Sequence, residues 1–447
     1  MSMGANDSSG RIFMRFYIHT LGCKVNQYET QSIREQLVSA GFIECLSKEI
    51  ADLYIVNTCT VTEKADRQSR HMIGLFHKTN PNAKIVVTGC YAESDSSDIS
   101  FLPGVRHIVK NIDKSRIVDI LNNKTPRPVS DQDAQRNSGI TGFKGHTKAF
   151  VKIQDGCENK CAYCKVPLVR GASVSRPIEE IVREVRTLTG NGFKEIILTG
   201  ICLGAWGKDM AISGGESSLG FGLVDVLKAI NNIDGDFRIR LSSIEPIYVT
   251  DELLCFIAEN SRMCRHLHIP LQSGDDDVLK RMNRPYASAR YKTIVDDCRK
   301  KIKDIAITTD IMVGFPGESE ENFKNTVRFV KDFLPARTHI FTFSKRAGTP
   351  AFEMRPEIDA DTMKRRYYEL NTAALGSSCL YRSDFIGKKL EILVESKRDR
   401  LSGMLVGYSG NYIRTLFEGD DSLMKSIVPV KIYDVNLIRT LGVYEES

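Results

Sequence analysis

The chain has 447 residues, 42% of them hydrophobic and 26% charged, with a formal net charge of +6. That is the balance of an ordinary globular protein of about three domains. No apolar run approaches the roughly 18 residues of a membrane span, and the first ten residues carry neither the basic start nor the apolar core of a signal peptide. A cytoplasmic protein with no membrane association is expected, and the small basic excess is compatible with a nucleic-acid partner without requiring one.

Twelve cysteines spread thinly over so long a chain point to metal or redox-active use rather than to a disulfide framework. In the first domain, expected over residues 13–122, Arg15–Thr20 reads as a strand ending in Leu21-Gly22-Cys23, and a helical pattern follows from Tyr28 to Ala40. The same order recurs in Asp52–Thr58 before Cys59, with a helix near Glu63–His77. It recurs again in Lys84–Gly89 before Cys90, and more weakly in His107–Lys110 before a helix around Lys114–Leu121. Repeated βα units imply a parallel sheet, whose ligands bind beyond the carboxyl ends of its strands. A single Cys at a strand end is commonly just a small buried residue. Three in the same place in successive repeats read as a three-thiolate cluster site.

Residues 123–147 turn polar and are broken by Pro and Gly, as a linker would be. The second domain, expected over 148–382, opens with the strand Ala149–Gln154 and the loop Cys157-x-x-x-Cys161-x-x-Cys164. Strands at Glu195–Gly200, Arg238–Ser242, His266–Pro270, Ala306–Met312 and Thr338–Phe343 alternate with helices at Pro177–Gly190, Asp276–Met282, Ala289–Lys301 and Ser319–Phe333. Six βα units predict a partial barrel, with function on its carboxyl rim. Gly200, Ser243, Glu245, Gln272, Ser273, Asp310 and Lys345 are the polar residues there, although each alone could serve a turn, cap or internal pair. Three thiols in one loop suit a cluster that leaves one iron open, whereas structural zinc needs a fourth ligand that the neighbouring sequence lacks. Both readings stay open on spacing alone.

The last domain, 384–445, shows short alternating strands at Lys389–Val394, Leu401–Val406, Tyr412–Phe417 and Ile427–Tyr433, which predict a small all-β, OB-like barrel. Tyr408, Tyr412 and Phe417 are candidates for base stacking or for its core. Lys388, Lys389, Arg398, Arg400 and Arg414 are candidates for phosphate contact.

The three-thiol loop resembles that of the radical S-adenosylmethionine enzymes. The wider set resembles the methylthiotransferases among them, over nearly the whole chain: Gly22-Cys23-Lys-Val-Asn26-Gln, Asn57-Thr-Cys59, Thr88-Gly-Cys90, Arg170-Gly171, Leu198-Thr-Gly200, Leu241-Ser-Ser-Ile-Glu245-Pro246, His268-Ile-Pro-Leu-Gln272-Ser-Gly274 and Gly314-Phe-Pro-Gly-Glu318. The block from Gly22 to Glu29 is most similar to the bacterial branch that modifies tRNA N6-threonylcarbamoyladenosine. Lys165, Leu168 and Cys202 depart from the family's usual residues, and Cys202 reads as small packing. Cys45, Cys255, Cys264, Cys298 and Cys379 read as structural.

The resemblance implies an α/β fold with an N-terminal parallel βα domain, a partial (β/α)6 radical barrel and a C-terminal TRAM barrel. It implies two [4Fe-4S] clusters, one on Cys157, Cys161 and Cys164 and an auxiliary one on Cys23, Cys59 and Cys90. S-adenosylmethionine would lie against Tyr163, Gly200, Ser243, Glu245, Gln272 and Asp310. The substrate would be the tRNA anticodon stem-loop, with Asn26, Arg170, Arg176, Lys345 and Arg346 as contacts and the cations among them facing the threonylcarbamoyl carboxylate. A reducing partner such as flavodoxin or ferredoxin and an unspecified sulfur donor complete the expectation. The reaction would insert a methylthio group at C2 of the adenosine, an unactivated position that calls for radical rather than acid–base chemistry. Isopentenyladenosine in tRNA, a ribosomal-protein substrate, and a non-catalytic metal-stabilised RNA-binding protein are the alternatives.

Overall fold

The computed structural model describes residues 14–46, 51–124, 139–210 and 222–446. The expected first boundary at residue 13 and residues 125–138 of the expected linker lie outside them.

The first domain is a five-stranded sheet of β1 (Arg15–Thr20), β2 (Ile43–Glu44), β3 (Leu53–Thr58), β4 (Lys84–Gly89) and β5 (Val105–Val109), ordered β2-β1-β3-β4-β5 and parallel throughout. β3 is buried along its whole length, as a near-continuous apolar run covered on both faces should be. Parallel pairing puts the carboxyl ends of β1, β3 and β4 side by side, so Cys23, Cys59 and Cys90 converge on one edge.

The second domain carries six parallel strands: β6 (Ala149–Asp155), then β8 (Glu195–Gly200), β9 (Arg238–Leu241), β10 (His266–His268), β11 (Ala306–Val313) and β12 (Arg337–Thr342). Pairing runs β6-β8-β9 and β10-β11-β12, and single bridges Ile239–Met263 and Ser243–His268 join the two halves into one curved sheet. The short β7 (Val174–Ser175) runs antiparallel along the free edge of β6. Among the described residues β12 pairs only with β11, which leaves the partial barrel that six units predict.

A helix of 24 residues, Ala360–Ser383, leads out of the barrel. It delivers the chain to a closed five-stranded barrel of β13 (Lys389–Val394), β14 (Leu405–Ser409), β15 (Arg414–Phe417), β16 (Ile427–Val435) and β17 (Thr440–Tyr444). The expected strand Leu401–Val406 starts later than its sequence pattern suggests. Asp399 instead accepts the backbone N–H of Ser402 at 3.0 Å, and Gly403 has φ +73°, so this stretch is a turn.

The C-terminal barrel is fixed to the radical barrel by two arginines of β9. Arg238 donates to Tyr408 O (2.8 Å), and Arg240 donates to Ser409 O and Gly410 O (both 3.0 Å). Both guanidiniums are anchored on Glu195 at 2.6 and 2.8 Å. Tyr412 stacks on His266 with centroids 4.5 Å apart, and Phe417 is fully buried. Of the two roles expected for these rings, Phe417 thus takes the core, and Tyr412 packs between the two barrels.

Burial alone would raise the Glu195 carboxyl, but Arg240 and Arg238 outweigh it and hold the group far below the ordinary range. Its stabilisation is therefore complete above the unfolded value of about 4.3 and lost as pH falls further. Glu195→Gln is expected to cost about 3–5 kcal/mol at neutral pH, because it leaves two buried guanidiniums without their anion. Urea denaturation between pH 7 and pH 3 checks this. The gap between parent and variant should close toward the acid end.

Candidate cluster centres at a domain interface

The radical-type loop follows the fully buried β6. Gly156 turns the chain at φ +73°, where a Cβ would overlap the carbonyl oxygen of Ala172. The loop is then closed by Cys157 N–H donating to Gly171 O (3.0 Å) and tied at its middle by Ala162 N–H to Met282 O (2.9 Å). Cys157, Cys161 and Cys164 lie within electrostatic reach of one another. The Arg284 guanidinium donates to Cys161 Sγ at 3.2 Å and forms an ion pair with Glu245. No strand or helix signal marked Arg284 in the sequence. It lies just beyond the helix Asp276–Arg281, and only the fold carries it back to the loop.

Cys202 supplies a fourth sulfur. It hydrogen-bonds to Cys157 and pulls that thiol down to about 7, whereas burial pushes Cys164 up to about 12. Cys202 is itself buried against the loop, with Asn159 Nδ2 3.8 Å from its sulfur.

The second thiol set occupies the facing sheet edge. Cys59 and Cys90 are buried and Cys23 is exposed. Gly22 at φ +101° sits so close that a Cβ there would fall 3.0 Å from Cys59 Sγ. Burial pushes the Cys59 thiol up to about 12. Asn26 stitches this edge together: its amide donates to Leu21 O (2.8 Å) and Thr58 O (2.9 Å), and its oxygen accepts from Arg170 (2.6 Å). Its hydrogen-bonding capacity is used within the protein, which corrects its expected contact with substrate.

Between the two sets lies a buried charge network. Arg170 Nε donates to Cys90 Sγ (3.3 Å), and its other nitrogens reach Glu29 (2.6 Å) and Asp155 (3.1 Å). Lys114 pairs with Glu29, and Lys152 bridges Glu29 (3.3 Å) and Asp155 (3.0 Å). Three cations thus meet two carboxylates, a positive surplus beside thiols that must ionise to bind iron.

The expected substrate cations are mostly committed elsewhere. Arg170 is internal. Arg176 is buried against Glu184 (2.7 Å) and Lys152 O, and Arg346 is buried against Asp66 and Thr60. None of these three offers a free charge to a substrate carboxylate. Lys345 is partly exposed, with the more exposed Glu357 as its partner at 2.7 Å.

Of the expected cofactor contacts, Glu245 and Gly200 border the Cys157 loop, Gly200 through Gln154, which also accepts Cys202 N–H at 2.8 Å. The Tyr163 ring packs against Phe315, with centroids 6.5 Å apart. Ser243 and Gln272 stand on the strand ends at the bridges to His268 and Ile311. Ser273 is buried against Thr326, and Asp310 stands between two histidines. In the C-terminal barrel Lys388, Lys389, Arg398 and Arg414 pair with Asp304, Glu445, Asp421 and Asp399, and only Arg400 of the five phosphate candidates remains exposed without such a pair.

Two family models match, the Radical SAM superfamily over residues 151–330 and the Uncharacterized protein family UPF0004 over residues 15–110. The threonylcarbamoyladenosine tRNA methylthiotransferase MtaB of Bacillus subtilis is 35% identical over 93% of this chain and 92% of its own length; that of Thermotoga maritima is 39% identical over 90% and 91%. The chain belongs to the radical S-adenosylmethionine methylthiotransferase family. A tRNA-2-methylthio-N(6)-dimethylallyladenosine synthase of Desulfitobacterium hafniense, from another branch, is 34% identical over 93% of this chain and 94% of its own. The structure of the radical S-adenosylmethionine methyltransferase TsrM from Kitasatospora setae, with cobalamin and a [4Fe-4S] cluster bound, covers 76% of this chain and 77% of its own at TM-score 0.53 and 15% identity, a likeness of fold alone. As a methylthiotransferase the protein uses S-adenosylmethionine and [4Fe-4S] clusters. Its two three-thiol sets fit them in donor type, in the glycines that keep side chains away, and in the guanidinium N–H that each set receives at a sulfur.

Proposed function

We propose that the protein inserts a methylthio group at C2 of N6-threonylcarbamoyladenosine, next to the anticodon of tRNA, in the cytoplasm. The reading is carried by the two thiol sets facing each other across the Arg170 network, in a chain 35–39% identical to curated enzymes named for that nucleoside. Cys157, Cys161 and Cys164 would hold the radical cluster, and Cys23, Cys59 and Cys90 the auxiliary one. S-adenosylmethionine bound at the first supplies the radical chemistry that an unactivated aromatic C–H requires.

The protein's own residues do the rest. Arg284 and Glu245 form a paired, net-neutral wall beside Cys161, and Arg170 holds the auxiliary edge at a fixed distance from β6. Tyr163, Gly200, Ser243 and Gln272 stay with Glu245 as the proposed S-adenosylmethionine contacts. An anticodon loop suits such a site because its bases are single-stranded and unstack at modest cost. A flavodoxin- or ferredoxin-like reductant and a sulfur donor are the further partners.

Mass spectrometry of tRNA nucleosides from a deletion strain tests the reading. The methylthio form of threonylcarbamoyladenosine should vanish while that of isopentenyladenosine persists, and the reverse pattern would sink the assignment. Lys345 is the cation proposed for the threonylcarbamoyl carboxylate, exchanging Glu357 for substrate. Lys345→Ala should raise KM for threonylcarbamoyl tRNA by about 10- to 100-fold, the range of one charged hydrogen bond. Steady-state kinetics checks this, and an unchanged KM would remove Lys345 from the site.

A further inference from the structure

Asp310, expected among the S-adenosylmethionine contacts, stands instead between two histidines of the adjacent strands. The register sets His268 of β10 beside Thr308 of β11, and Asp310 of β11 beside His339 of β12. Three neighbouring strands therefore present His268, Asp310 and His339 together. Asp310 Oδ1 lies 3.1 Å from His268 Nε2 and 3.3 Å from His339 Nδ1, and the three atoms lie within 4.8 Å of one another. We infer that His268, Asp310 and His339 form a binding site for a divalent transition ion of the Zn2+ or Fe2+ class, separate from both thiol sets.

Hydrogen bonding between the imidazoles and the carboxylate is the obvious alternative, and the geometry disfavours it. Asp310 Oδ1 is buried and accepts no hydrogen bond, although two ring nitrogens stand within 3.3 Å. A buried carboxylate oxygen without a donor is costly. Ligands round an ion show this arrangement, because each nitrogen then points at the metal beside the oxygen. Neighbouring donors at bonds of about 2.0–2.2 Å are themselves separated by roughly 3.0–3.5 Å.

The outer contacts fit as well. Thr308 Oγ1 lies 2.9 Å from His268 Nδ1, which orients the ring with Nε2 toward Asp310, as hydrogen-bonded partners of metal-bound imidazoles do. Two imidazoles and a carboxylate suit borderline ions such as Zn2+ and Fe2+ and disfavour Mg2+ and Ca2+, which prefer all-oxygen cages. The three side chains leave coordination positions open. Access is through a cavity of about 500 Å³ between β12, the Ala360–Ser383 helix and the C-terminal barrel, which His339, Thr308 and Tyr412 help to line.

The test uses the full chain with both clusters reconstituted anaerobically, dialysed against Zn2+ in one arm and Fe2+ in the other. Elemental analysis should find one further ion per chain in the arm whose metal the site takes, and in the iron arm Mössbauer spectra should show high-spin ferrous iron distinct from the clusters. His339→Ala, at a side chain 40% exposed and so tolerant of truncation, should weaken binding at least tenfold with cluster iron unchanged. Thr308→Val should weaken it by about tenfold through the lost outer contact. No added ion in either arm, or binding that both variants leave unaltered, overturns the site. None of these readouts depends on turnover.

Discussion

Arg170→Gln is expected to lower the stability of the protein by about 3–5 kcal/mol, since one partner of a buried ion-pair network is removed while Glu29 and Asp155 remain in place. The effect should extend beyond stability. Arg170 donates to a sulfur of the auxiliary set, contacts Asn26 behind Cys23 and pairs with Asp155 at the base of the radical-type loop. The variant should therefore hold less iron at Cys23, Cys59 and Cys90, which elemental analysis after reconstitution would read alongside a guanidinium denaturation curve. Arg170→Lys keeps the charge but not the planar fork, and should recover only part of either quantity. A denaturation midpoint and iron content equal to the parent's would show that the network is incidental.

Replacing the two cysteine sets should give opposite partial enzymes. Cys157, Cys161 and Cys164 changed together to Ala should abolish reductive cleavage of S-adenosylmethionine, because the only site proposed to bind it has lost its thiolates. The same change at Cys23, Cys59 and Cys90 should leave cleavage measurable and abolish methylthiolation of tRNA. Each triple variant should lose about half of the cluster iron. Quantifying cleaved S-adenosylmethionine and modified nucleoside in the same reaction separates the two outcomes. Cleavage surviving in the first variant would remove that loop from its role.

Much of this architecture was legible before any coordinates, for identifiable reasons. Strand β3 announces itself as a buried run because parallel strands covered on both faces must be apolar throughout. A thiol placed directly after each of three such strands has to converge with the others, since a parallel sheet aligns its carboxyl ends. The Cys157 loop was explicit in its spacing alone. Less legible were the residues that act through charge. Arg170 and Arg176 read as available cations from sequence, yet both are enclosed in ion pairs, Arg170 with Glu29 far away along the chain and Arg176 with Glu184 eight positions on. Tyr412 and Phe417 were open between stacking and core roles in sequence, and proved to be, respectively, the barrel-to-barrel contact and the core.

By itself, the sequence determined the three-part order of the chain, the parallel sheets, the partial barrel and the two cysteine sets, because hydrophobic period and thiol spacing are local properties, and the resemblance of its motifs pointed to the family. The tertiary structure decided which charges are spent internally, that Arg284 and Cys202 join the Cys157 loop, and that His268, Asp310 and His339 meet across three strands. Those facts depend on pairings between residues tens to more than a hundred positions apart. Local pattern carries no record of which buried acid a given arginine will find.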